Sequence, residues 1–420
     1  MNNTVSEPQH RQTLRRRIEI VGTLAFLAVL VGSLIVVVNV IHHGSKPAST
    51  SHAYTTGAIH IAHAAALGLY VGGGEGELYK LDTQTGKLLW SFPTSGRTIP
   101  APATVAGNVV YLGGGDGNLY ALNADTGRQI WSFSTGGSIV ASPTVDGNQV
   151  YVGSSDGNVY ALKTADGTKV WSYNPGQGSE TVTVTSAAVV NGVLYASATN
   201  ETSHSYVFAV NVQSGAQVWR SQANGVLFSA PQVYRNKVYV VSSPLSKQSG
   251  PTATTSRVEV FNAKDGSQPR QPAAQPVAPA TSAAPLAPAS PVLDDGIIYF
   301  GSHDGTVSAL KSNTTSVLWH QNFAGQVDAS LVLTDKLLYV GVTTGTINNN
   351  AIIALNPADG SLRWQTQLNH YAGSNMVVSG NALFVGTDTA QVYALDANSG
   401  SILWTYQEPV PFGNTPLAAA

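Results

Sequence analysis

The side chains able to do chemistry in this 420-residue chain are few, and their spacing works against it. His60 and His63 stand at a separation that metal sites use. Their segment reads as a short strand, however, where an odd separation sends side chains to opposite faces. His42, His43 and His52 could sense pH or capture a metal, but they lie in a run of small polar residues that reads as a solvated stalk. Gly72-Gly73-Gly74-Glu75-Gly76 superficially suggests a phosphate loop. Such a loop must open a helix, and this one leads into Leu78-Tyr79-Lys80-Leu81, which reads as a strand. No Ser-His-Asp or paired-carboxylate constellation stands out, because most acidic residues occupy turn positions. Cysteine is absent, which excludes disulfides, a thiol nucleophile, iron–sulfur clusters and a lipid-modified cysteine anchor within this sequence. No catalytic, cofactor-binding or metal-ligating residue is expected, and no cofactor.

The elements that carry these residues are set by a repeat. Ser142 to Trp171 reads SPTVDGNQVYVGSSDGNVYALKTADGTKVW, and Ala101 to Trp131 reads APATVAGNVVYLGGGDGNLYALNADTGRQIW. The closing tryptophans fall at Trp90, Trp131, Trp171, Trp219, Trp319, Trp364 and Trp404, which are all 7 in the protein. A fixed place in every unit implies one repeated structural task, docking between neighbouring units, since in such arrays each unit packs on its neighbours. Between Trp219 and Trp319 the gap is doubled and holds a degenerate copy, APQVYRNKVYVVSS then RVEVFNAKDGSQPR, with Arg270 where tryptophan should stand. That makes eight units.

Each unit parses into four strands: a short run after Ser-Pro or Ala-Pro, then VYVG, then VYAL, then the run holding tryptophan. Period-two alternation marks the middle pair. Asp116-Gly117, Asp156-Gly157 and Asp304-Gly305 join second to third strands, and this dipeptide predicts type I′ hairpin turns with two positive φ angles. Units of about 40 residues cannot bury both faces alone; they must stack, and radial closure hides most sheet edges. The expected fold is all-β, an eight-bladed β-propeller of four-stranded antiparallel blades over residues 57–408, preceded by one transmembrane helix and followed by a tail at 409–420. Within the fifth unit, residues 268–291 form an Ala/Pro-rich insertion, expected to be an exposed polyproline-like loop.

The helix is expected at 21–41, VGTLAFLAVLVGSLIVVVNVI, 21 residues without a charge, enough to cross a hydrocarbon core of roughly 30 Å. A cleaved secretion signal would have a shorter apolar core ending at a small-x-small site, so an uncleaved signal-anchor is predicted. Arg11, Arg15, Arg16 and Arg17 precede the span and only Lys46 closely follows it, which places residues 1–20 in the cytoplasm as a tail. Residues 42–56 then form a flexible stalk, and the propeller lies outside the cytoplasmic membrane. Beyond residue 50 the chain carries 16 basic and 21 acidic residues, with no basic stripe to receive a phosphate backbone, so no nucleic-acid partner is expected.

The motif A-L-x-A-x-T-G-x-x-x-W, as ALNADTG before Trp131 and ALDANSG before Trp404, resembles the docking motif of the pyrroloquinoline-quinone-type propeller repeat family. That family contains both quinoprotein dehydrogenases and non-enzymatic propellers, among them a β-barrel assembly scaffold of the cell envelope, so fold alone does not choose. The resemblance implies that a dehydrogenase would hold its quinone in the central funnel beneath a disulfide of adjacent cysteines, with a calcium ion and funnel-building insertions. This chain has no cysteine, and three of its six spacings between successive tryptophans are near-minimal at 40 or 41 residues. The expected function is a binding scaffold for an unknown protein or cell-envelope ligand, with a quinone-dependent dehydrogenase-like enzyme as the alternative.

Overall fold

The computed structural model describes residues 60–61, 68–72, 76–96, 98–176, 182–199, 205–227, 230–243, 257–268, 291–302, 304–314, 316–327, 331–343, 350–369, 376–387 and 391–407. These form eight antiparallel sheets, over residues 60–93, 104–134, 144–173, 183–223, 226–262, 292–322, 332–368 and 376–407. They are blades 1 to 8 of a propeller. No helix among the described residues is long and apolar enough to cross a membrane. The span expected at 21–41, the stalk and both tails lie outside the described residues.

Blade 2 shows how local sequence makes a blade. Its strands are Thr104–Ala106, Val109–Gly113, Asn118–Asn123 and Gln129–Ser134, each paired with the next. The two middle strands are buried almost throughout, whereas in the fourth only Trp131 is buried. Period-two alternation therefore does not separate core from solvent here. It sorts side chains between two neighbouring blades: Val110, Leu112, Tyr120 and Leu122 pack with blade 1, while Tyr111, Leu119, Ala121 and Trp131 pack with blade 3. The buried apolar residues fall into eight clusters, one at each seam between blades.

Every blade is built from consecutive strands, so the ring closes by packing blade 8 on blade 1, without exchange of a strand. Leu69, Val71, Tyr79 and Leu81 of blade 1 meet Phe384, Val392 and Ala394 of blade 8. Blade 5 departs from the pattern. Val226–Leu227 and Gln232–Tyr234 share the first position, both pairing with Lys237–Ser243, which pairs with Arg257–Asn262. Arg270 and most of the Ala/Pro-rich insertion, 269–290, lie outside the described residues.

Candidate functional site

The recurring site of this molecule is the seam, built from a row of three side chains. Tyr111, Ala121 and Trp131 stand opposite one another on successive strands of blade 2. The small alanine lets the flanking rings tilt together, with centroids 5.8 Å apart. The row recurs as Tyr151-Ala161-Trp171, Tyr195-Ala209-Trp219, Tyr299-Ala309-Trp319 and Tyr339-Ala354-Trp364, and as Phe384-Ala394-Trp404 in blade 8. In blade 1 the middle member is Lys80, buried between Tyr70 and Trp90, its Nζ donating to the Ala124 carbonyl at 2.9 Å.

Each indole crosses to the next blade. The Nε1 of Trp90 donates to Ala124 O, Trp131 to Thr164 O, Trp171 to Val212 O, Trp219 to Ala263 O, Trp319 to Pro357 O, Trp364 to Ala397 O and Trp404 to Thr83 O, at 2.7–3.1 Å. The same carbonyl often takes a second donor, as when the Tyr339 hydroxyl reaches Ala397 O at 3.0 Å. The acceptor lies in the turn between third and fourth strands, and the glycine of that turn underlies the ring. Gly127 has φ +69°, and a Cβ there would lie 2.7 Å from the Trp90 ring. The glycine four positions before six of the seven tryptophans thus serves the ring of the preceding blade.

Asp116-Gly117, Asp156-Gly157 and Asp304-Gly305 do join second to third strands, but not as type I′ turns. Only the glycines have positive φ, 83°, 90° and 86°. Gly117 N bonds Gly114 O, and Gly114 N bonds Asn118 O, a type I turn followed by a left-handed glycine. The three-residue loop explains the difference, since the two-residue loops that need paired positive φ lie between first and second strands, as at Asn191-Gly192 and Asp295-Gly296. In the first two of these turns the aspartate carboxylate reaches across the seam, whereas Asp304 Oδ1 accepts from Thr306 N within its own turn. Asp116 Oδ2 accepts from the Tyr120 hydroxyl at 2.5 Å and from Ser95 N of blade 1 at 3.1 Å. Asp156 Oδ2 likewise accepts from Tyr160 at 2.7 Å and Gly136 N at 2.7 Å. Sequence reasoning missed this second task, although the Asp-Gly-Asn-x-Tyr pattern was legible in both units. In blade 5 Glu259 takes over, accepting from Asn224 N and Nδ2 of blade 4.

Burial opposes the charge on Asp156, yet hydrogen bonds from Tyr160, Asn158 and Gly136 outweigh it and hold the carboxyl below its ordinary range. A depressed folded-state value contributes stability at pH above about 3.9, the unfolded carboxyl value, which is lost as pH falls through the folded value. Asp156→Asn should therefore flatten the acid limb of the stability curve below about pH 4. Parallel acid limbs in urea melts of variant and wild type would remove this role.

Of the other candidates, His60 sits in the strand His60–Ile61 and His63 lies outside the described residues, as do His42, His43 and His52. Gly72 ends the strand Leu69–Gly72 and Gly76, at φ +80°, closes the turn into Glu77–Leu81, so this glycine run joins two strands. Among the described residues no three His, Asp or Glu side chains gather where a metal ion could be held.

Repeated Trp-on-Gly seams in an eight-bladed ring define a propeller of the pyrroloquinoline-quinone-type repeat class. The chain belongs to the family whose model is described as outer membrane protein assembly factor BamB, which matches residues 42–206, 201–326, 254–373 and 348–420. The assembly factor BamB of Moranella endobia is 29% identical over 126 residues, 29% of this chain and 31% of that protein. The chain spans between 27% and 48% of the length of the curated relatives it matches. Among solved structures, BamB from Moraxella catarrhalis superposes with a TM-score of 0.52 at 21% identity, covering 68% of this chain and 80% of that one. A quinohemoprotein alcohol dehydrogenase from Pseudomonas putida gives 0.58 at 15% identity, covering 84% and 69%. Both structural likenesses are of fold alone.

Proposed function

We propose that this protein is a non-enzymatic scaffold, tethered by residues 21–41 and displaying its propeller outside the cytoplasmic membrane to a protein or cell-envelope ligand during envelope assembly. The observation that carries the reading is the family match, which runs from residue 42 to the C-terminus under the description of an assembly factor. The use of the repeated tryptophans, tyrosines and turn aspartates in seams supports it, because those side chains are committed to holding blades together. The proposed layout is a cytoplasmic tail at 1–20, the anchor, a stalk at 42–56, the propeller at 57–408 and a tail at 409–420.

Affinity capture with the tagged full-length chain in mild detergent tests the class. A stoichiometric protein partner supports a scaffold, whereas a co-purifying quinone chromophore with alcohol-dependent dye reduction would replace it with the dehydrogenase. The orientation has its own expected outcome: protease added to spheroplasts should remove the propeller and spare the extreme N-terminus. A mature protein beginning near Ala53 would sink the anchor.

A further inference from the structure

One seam is unlike the others. Seven of the eight apolar clusters include a tryptophan, and the exception, between blades 5 and 6, contains Tyr239, Val241, Val258, Val260, Ile298, Phe300 and Leu310. The sequence has changed on both sides of it. Arg270 stands at the tryptophan position of blade 5, and Thr315 stands where the turns of blades 7 and 8 carry Gly360 and Gly400 beneath an indole. The seam has thus been released from the Trp-on-Gly arrangement as a pair.

A cavity lies at this seam. At the 7–8 seam the space framed by Thr334, Tyr339, Gly380 and Ala397 measures about 200 Å³. The corresponding space at the 5–6 seam, framed by Arg235, Lys237, Tyr239, Gly296, Lys311 and Ser312, measures about 540 Å³. Its size suits a ligand group, and its lining is basic: Arg235, Lys237 and Lys311 against Asp295 alone. That cluster stands out on a chain that is net acidic beyond residue 50.

Two further features point the same way. The Ser312 carbonyl accepts the Tyr239 hydroxyl at 3.0 Å, as Ala397 O accepts Tyr339, but among the described residues it receives no indole N–H. A carbonyl oxygen has two lone pairs, so Ser312 O at the cavity wall can take a second donor, as Ala397 O does. At the rim, Arg235 and Asn236 hold φ of +42° and +66°, the pair that the two-residue turn between Tyr234 and Lys237 requires. The guanidinium lies 5.0 Å from the Tyr234 ring centre, which keeps it at the cavity's edge.

We propose that the 5–6 seam is the docking site for an acidic peptide segment of a partner protein. A carboxylate of the segment pairs with Lys237, Lys311 and Arg235, and a backbone N–H of the same segment donates to Ser312 O. This deepens the scaffold reading by giving the partner's chemistry, and its test is independent of the partner's identity.

The probe is a displayed library of hexapeptides with Glu or Asp at alternate positions, compared with its Gln/Asn counterpart, against the full-length chain in detergent. Selected acidic peptides should bind saturably in fluorescence anisotropy, and their amide counterparts at least tenfold more weakly. Lys237→Glu with Lys311→Glu should weaken binding tenfold or more. The matched control, Lys163→Glu with Lys336→Glu, makes the same charge change at other seams and should leave it unchanged. Failure of every acidic peptide to saturate, equal loss in the control, or undiminished binding in the seam variant would each overturn the assignment. A natural partner captured equally by wild type and the seam variant would overturn it too, while leaving the scaffold itself standing.

Discussion

Trp131→Ala should lower the stability of the propeller by about 3–5 kcal/mol, the range for truncating a large buried aromatic and leaving a cavity. Trp131 is 8% exposed on a strand whose other residues are largely open to solvent. Its loss removes the ring from Gly167 and the donor from Thr164 O, 2.9 Å away. It also leaves the Tyr111 ring without its neighbour at 5.8 Å. Trp131→Phe keeps part of the apolar area and loses the N–H, so it should fall between the two, with the missing hydrogen bond worth about 1 kcal/mol. Urea melts followed by circular dichroism read the difference, and a folded alanine variant with the wild-type midpoint would remove the docking role.

The second large effect is expected at the glycine beneath an indole. Gly127→Ala places a Cβ 2.7 Å from the Trp90 ring at a φ of +69°. Left-handed strain of about 1–2 kcal/mol and overpacking of about 1–3 kcal/mol should together cost about 2–5 kcal/mol. Gly192→Ala is the internal control, because Gly192 has φ +76° with nothing within 4 Å of its would-be Cβ. That variant should show the strain alone. Equal midpoints for the two variants would mean that Trp90 does not rest on Gly127.

Legibility differed with range. The repeat was readable because strand pairing is local: Val109–Gly113 meets Asn118–Asn123 across a short loop, and the Asp-Gly signal falls in that loop. The turn type was not readable, since Asp-Gly serves both two- and three-residue loops, and only the bond from Gly117 N to Gly114 O distinguishes them. The cross-seam role of Asp116 escaped for the same reason. Its partner Ser95 belongs to another unit, and no periodicity within a unit marks which backbone N–H will face it.

By itself the sequence determined the repeat unit, its strand order, the position of each tryptophan and the one unit where tryptophan is replaced by Arg270, because all of these follow from local pattern. Tertiary structure alone decided the rest. Near-identical units do not encode which neighbour an indole will cross to, and the ring closes through a contact between Trp404 and Thr83, 321 positions apart, that depends on how eight blades sum around an axis. The 540 Å³ cavity at the 5–6 seam has the same origin, since a void is set by the distance between two packed sheets rather than by the residues of either one.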